Sequence, residues 1–304
     1  MQSKGLYLAL LTALISGISI FINKFAVASF ASPVLLPTLK NGLVGIAMLT
    51  LVLTSHRWRT NRAELKALTL KQQSQLVALA LIGGALPFYL FFTGLAQTPA
   101  VNAAIIHKSL VVWVAVLAVP FLKEKLTKTL GLAVLLLFAS NLLPGGFKGL
   151  TLSTGELLIF MATLLWALET IVAKKLLATV SADVAATARM GLGSLMLLLV
   201  MLVTAPMDVI KLASLSPTQW LWVGLTSVTL LAYVSTWYRA LQLAPAITVS
   251  AILVSATLIT NLLAAIFITH TWTVPLTLQG IAIGTGSLLV LVAARRLPQP
   301  IMVK

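Results

Sequence analysis

Cysteine is absent from the sequence, which excludes a disulfide framework, a thiolate metal site and a cysteine nucleophile. Charge is scarce as well: 9% of the 304 residues are Asp, Glu, Lys or Arg, whereas a soluble domain carries about 25%. Acidic residues number six and histidines three, and the histidines are not clustered. There is no His-Glu-x-x-His, Gly-x-Ser-x-Gly or Walker loop, so the chain offers no visible machinery for metal, acyl-transfer or nucleotide chemistry. Neither enzymatic activity nor a metal or cofactor is expected.

What the sequence has in abundance is apolar length. With 60% hydrophobic residues and a mean hydropathy of +1.06, a soluble fold has nowhere to bury its apolar surface, so the chain reads as an integral membrane protein in contact with lipid. Windows of about 20 residues, the length that crosses the hydrocarbon core, place ten spans, at roughly 5–27, 33–54, 74–95, 99–121, 127–143, 153–175, 183–203, 217–238, 244–269 and 275–293. The runs are continuous and Leu/Ala-rich, which favours helices over the alternating strands of a barrel. Leu143-Pro144-Gly145-Gly146 punctuates the midpoint, and the first run is too long for a cleavable signal.

Lys and Arg fall on one side. Lys4, Arg57, Arg59, Arg62, Lys66, Lys71, Lys123, Lys125, Lys128, Lys174, Lys175, Arg239, Arg295, Arg296 and Lys304 share the side of the N-terminus, while the opposite loops hold Lys148 and Lys211. By the positive-inside rule both termini are cytoplasmic. The net charge of +15 is then topogenic and lipid-facing, with no nucleic-acid role. Residues 56–73 read either as a short interfacial helix or as a solvated loop.

The chain also repeats itself. Gly94-Leu95-Ala96-Gln97-Thr98-Pro99-Ala100 returns, 146 residues on, as Ala240-Leu241-Gln242-Leu243-Ala244-Pro245-Ala246. Lys24 corresponds to Lys174, Lys40-Asn41-Gly42 to Arg189-Met190-Gly191, and Gly131 to Gly280. The halves, residues 1–146 and 147–304, each hold five spans. An odd number makes the second half enter from the opposite side, so the expected fold is all-α, two inverted five-helix repeats around a central cavity. Two nearly equivalent conformations, one open to each side, follow from that symmetry and favour alternating access over a channel.

Ten spans in two fives, Lys40 and Arg189 early in the second and seventh, Pro99-Ala100 and Pro245-Ala246 opening the fourth and ninth, and the ending Lys123-Glu124-Lys125-Leu126-Thr127 resemble the EamA family of the drug/metabolite transporter superfamily. The resemblance covers nearly the whole chain. It implies a bacterial inner-membrane permease, often an exporter of amino acids or related metabolites, with a cavity lined by helices other than the fifth and tenth. The acidic residue common at the fourth-span ending is present as Glu124, but its counterpart is His270.

Ionisable groups inside spans persist where they face a cavity or a partner. Here they are Lys40, His107, Lys108, Glu169 and Arg189, with Lys24 at the external mouth. Lys108 falls near the midplane, and Lys40 and Arg189 lie to opposite sides of it. The sequence thus points to a cationic centre in which Lys40, Lys108 and Arg189 attract the carboxylate or phosphate of a small anionic or zwitterionic metabolite. Glu169 would meet an ammonium or a lysine, or couple transport to protons. The bland readings are lipid-facing anchors for Lys40 and Arg189 and a packed, hydrogen-bonded His107. Trp113 and Trp166 are candidate cavity walls, and Tyr89, beside the helix-kinking Pro87, is a candidate gate. Glu124 among its lysines reads as a loop ion pair. A sugar-phosphate or nucleotide-sugar antiporter is the alternative, since Lys108 resembles the phosphate-binding lysine of plastid translocators; the ninth span, however, has no Lys or Arg. A counter-substrate, and a monomer or a homodimer, are both compatible with this reading.

Overall fold

The computed structural model describes residues 2–54, 58–144, 147 and 149–296. Arg57, Gly145, Gly146, Lys148 and Lys304, used above for topology and the midpoint break, lie outside them. Every regular element among the described residues is helical: α1 (Gln2–Ala28), α2 (Leu35–Thr54), α3 (Trp58–Ala67), α4 (Leu70–Leu79), α5 (Leu86–Leu95), α6 (Ala100–Lys108), α7 (Leu110–Leu122), α8 (Lys128–Ala139), α9 (Thr154–Leu176), α10 (Ala182–Thr204), α11 (Pro206–Ile210), α12 (Pro217–Leu243), α13 (Ala246–Leu253), α14 (Ala256–Ala264) and α15 (Val274–Arg296).

Among the described residues, eight segments are long and apolar enough to cross a membrane: Ser3–Ala28, Leu35–Thr54, Leu70–Leu95, Val101–Leu122, Thr154–Leu176, Ala182–Thr204, Ala246–Thr269 and Val274–Arg295. Two of the ten expected spans fall short of that description. The fifth is a 15-residue rod, Lys128–Leu142, and the eighth, α12, is 27 residues long but diluted by Trp, Thr, Ser and Tyr. Starts are set by local chemistry: Thr69 with Gln72 and Ser216 with Gln219 form capping boxes, and Ser153 and Ser181 cap α9 and α10. Within the stretch 56–73, read as either interfacial helix or loop, Trp58–Ala67 form the helix α3, and Glu64 on it accepts the Ser181 amide at 2.6 Å.

The most extensive packings all join the first half of the chain to the second. α1 runs along α12 and α9 along α5; α2 lies against α10; α8 lies against α15; α1 meets α13 and α14, as α9 meets α6 and α7. Exchanging the halves maps this set onto itself. In a bilayer such contacts depend on close van der Waals fit. A Cβ on Gly45 would stand 2.9 Å from the Cα of Gly191, which is why α2 and α10 approach so closely there.

The fourth and ninth spans are each interrupted, a feature absent from the sequence reading. α6 passes to α7 through Ser109, and α13 to α14 through Val254 and Ser255, at matching positions of the repeat. Three-residue hydrogen bonds, Val112 N–H to Ser109 and Leu258 N–H to Ser255, tighten both breaks. The Ser109 hydroxyl donates to the Ile106 carbonyl at 2.6 Å, and Ser255 shares a hydrogen bond with Ser287 at 2.9 Å.

Candidate functional site

A cavity of about 590 Å³ lies between the two halves, walled by α1, α2, α5, α6, α7, α9, α10, α12 and α13. Six of the eight residues singled out from sequence line it: Lys40, His107, Lys108, Trp166, Glu169 and Arg189. His107 and Lys108 are neighbours on α6, about 100° apart around the helix, and this hollow is wide enough to receive both.

The charged groups do not stand alike. Arg189 clasps Glu169 with both ends of its fork: Nε donates to Oε1, and a terminal nitrogen donates to Oε2 at 3.2 Å. The Tyr238 hydroxyl donates to the same carboxylate at 3.2 Å, and the guanidinium lies 5.7 Å from the Phe88 ring centre. With Glu169 2% and Arg189 6% exposed, this is a buried, bidentate pair. Arg189, read from sequence as meeting a substrate anion, and Glu169, read as meeting an ammonium or a lysine or coupling protons, here hold each other.

Lys40, which corresponds to Arg189 in the sequence repeat, has no carboxylate partner among the described residues. Its ammonium donates to the Asn23 side-chain oxygen at 2.9 Å and sits 5.7 Å from the Phe92 ring centre. Lys108 has no hydrogen-bond partner among the described residues. Lys24 also lines the wall, so four cations face one carboxylate and the interior is positive.

Aromatic rings complete the wall. The His107 ring stands 5.1 Å from Trp166 and 5.1 Å from Phe91, while Trp166 meets Phe88 edge-on at 5.5 Å. His107 is packed, as one reading of the sequence expects, but its buried Nδ1 has no hydrogen-bond partner. The remaining two candidates lie off the wall. Trp113 donates its indole N–H to the Ser109 hydroxyl at 3.1 Å and packs against Phe160, and Tyr89 packs against a separate apolar cluster that includes Leu35, Leu36 and Val223. Phe88, Phe91 and Phe92 take the cavity face of α5, which turns Tyr89 away.

A π-helical turn at Ala80–Ala85 makes room for the ion pair. A Cβ on Gly83 would stand 2.3 Å from Cδ of Glu169, and one on Gly84 2.3 Å from the Arg189 carbonyl, so both positions require glycine. Pro87 lacks the amide hydrogen that would close a helical turn onto Gly83. The Trp166 indole N–H donates to that carbonyl instead, at 3.3 Å. Gly83, Gly84, Asn23 and the Phe88 stripe are site-building residues that sequence reasoning missed. The Gly-Gly pair four residues before Pro87 and the i, i+3, i+4 phenylalanines were the available signals.

No curated protein matches the sequence. A solved crystal structure, described only as that of a protein, superposes with a TM-score of 0.76 over 98% of this chain and 100% of its own at 15% identity, which shows a shared fold. The model of the EamA-like transporter family matches twice, over residues 3–143 and 153–293. The chain therefore belongs to the EamA-like transporter family and is a multi-pass integral membrane protein of the transporter type.

Proposed function

We propose that the protein is a secondary transporter that moves a small anionic or zwitterionic, amino-acid-like metabolite by alternating access between two inverted half-bundles, residues 1–146 and 147–304. The observation that carries this reading is the Lys108 ammonium, unpaired among the described residues and facing an aromatic-walled cavity. A volume of about 590 Å³ suits a small metabolite, since small-molecule pockets run from about 300 to 1,000 Å³. The half-exchanging packing pattern and the matched breaks at Ser109 and Ser255 support the inverted repeat. Lys108 and Val254 occupy corresponding positions, so the ninth span brings no second cation, which favours a carboxylate over a phosphate ester. Lys/Arg asymmetry supports cytoplasmic termini in an inner membrane, and the family resemblance supports export.

Purified protein in liposomes, offered a panel of amino acids, organic acids and phosphate esters, is expected to accumulate compounds bearing a carboxylate and to ignore cations of the same size. Accumulation of cations alone would contradict the reading. Exchange that requires internal phosphate would move the assignment to the antiporter.

A further inference from the structure

We propose that Glu124 and Lys174 are the latch that closes the transport cavity at the Lys/Arg-rich end, and that their repeat counterparts, His270 and Lys24, form no equivalent latch at the other. The proposal rests on the alternating-access reading above. Glu124 follows α7 in the first half, yet its two oxygens accept the first amides of α13 in the second: Ala246 N–H at 2.6 Å and Ile247 N–H at 3.0 Å. Those amides are orphans of a helix start and carry partial positive charge, so a carboxylate there is held firmly.

Beside it, the Lys174 ammonium donates to the Leu241 carbonyl in the last turn of α12 at 2.6 Å and to that of Ala244, just beyond the helix, at 2.7 Å. Lys174, within the second half, thus holds the end of α12 in place, and Glu124, from the first half, holds the start of α13, so the α12–α13 corner is tied across the halves by the carboxylate. Burial raises the Glu124 pKa above the ordinary carboxylate value, while the Ile247 and Ala246 amides and the charge of Lys174 oppose the rise. Sequence alone assigned Glu124 to a loop ion pair with neighbouring lysines; its partners lie 122 and 123 residues away.

The other end differs. Lys24 is exposed on the cavity wall, and His270 is exposed, neither with a hydrogen-bond partner among the described residues. An imidazole has one acceptor at most and cannot receive two amides as a carboxylate does. The fold therefore holds one end shut with a charge-assisted latch and leaves the other open, and the exchange of ends is biased toward this state.

The absence of cysteine makes a direct test possible. Ser250 lines the cavity on α13 and accepts a near-isosteric Ser250→Cys reporter. An impermeant thiol reagent applied separately to each face of oriented vesicles should label it from the Lys/Arg-poor face only. Adding Glu124→Gln should raise labelling from the Lys/Arg-rich face about tenfold, the scale of losing a charged hydrogen bond. Adding His270→Glu, a change at an exposed residue that spares the fold, should complete the second latch and slow labelling from the Lys/Arg-poor face by a similar factor. Unchanged labelling in both variants would overturn the latch while leaving alternating access intact. Simultaneous labelling from both faces in the reporter alone would overturn alternating access itself. The readout needs no substrate, so it is independent of the uptake assay.

Discussion

Arg189→Ala is expected to leave little folded protein in the membrane. The substitution strands the Glu169 carboxylate at 2% exposure, with the Tyr238 hydroxyl as its remaining hydrogen-bond partner among the described residues. Breaking one partner from a buried pair costs about 3 to 5 kcal/mol, because the remaining charge is left without compensation. That is a large share of the stability of most folded chains. Replacing both partners with apolar residues of similar size, as Arg189→Met with Glu169→Leu, is expected to restore most of the yield. The check is recovery of monodisperse protein by size-exclusion chromatography together with its thermal midpoint. Wild-type stability in Arg189→Ala, accompanied by lost uptake, would instead make Arg189 a substrate ligand.

Lys108→Ala is expected to behave in the opposite way, folding normally and transporting poorly. The ammonium has no protein partner among the described residues, so its removal strands nothing. It does remove the charge that a substrate anion would meet in a site shielded from bulk water. Loss of one partner of a desolvated charge pair costs about 2 to 5 kcal/mol, and the lower figure is about a 30-fold fall in transport efficiency. Lys108→Arg keeps the charge but replaces a compact ammonium with a planar fork, and should retain part of the activity. Initial uptake rates across a concentration series, with protein amount set by size-exclusion recovery, measure the effect. Normal uptake by Lys108→Ala would remove the anion site.

These two cations show what a sequence reading captures and where it stops. Their depth in the spans was legible, because helix length and the rise per residue fix height in the bilayer. Their fates were not. Whether a buried cation is neutralised depends on which residue faces it from another helix, and Glu169 reaches Arg189 because the π-helical turn before α5 carries two glycines beside them. The repeat, the boundaries of α1 and α9 and the correspondence of Lys40 with Arg189 came from apolar length and internal similarity, both local properties of the chain. The breaks at Ser109 and Ser255 did not, since serine at mid-span also occurs in unbroken helices. Trp113 and Tyr89 show the same limit: an aromatic residue within a span packs against a neighbour as readily as it lines a cavity, and its choice is set by the surrounding helices.

The account turns on a positive hollow between two interlocked halves that receives an anion at Lys108. The most direct measurement is an experimental structure with a transported compound from the liposome panel bound. The account predicts its carboxylate about 2.7 to 3.2 Å from the Lys108 ammonium, with its body against the aromatic wall that Trp166 and the Phe88 stripe build together. A compound seated elsewhere, with Lys108 turned toward the lipid, would contradict it.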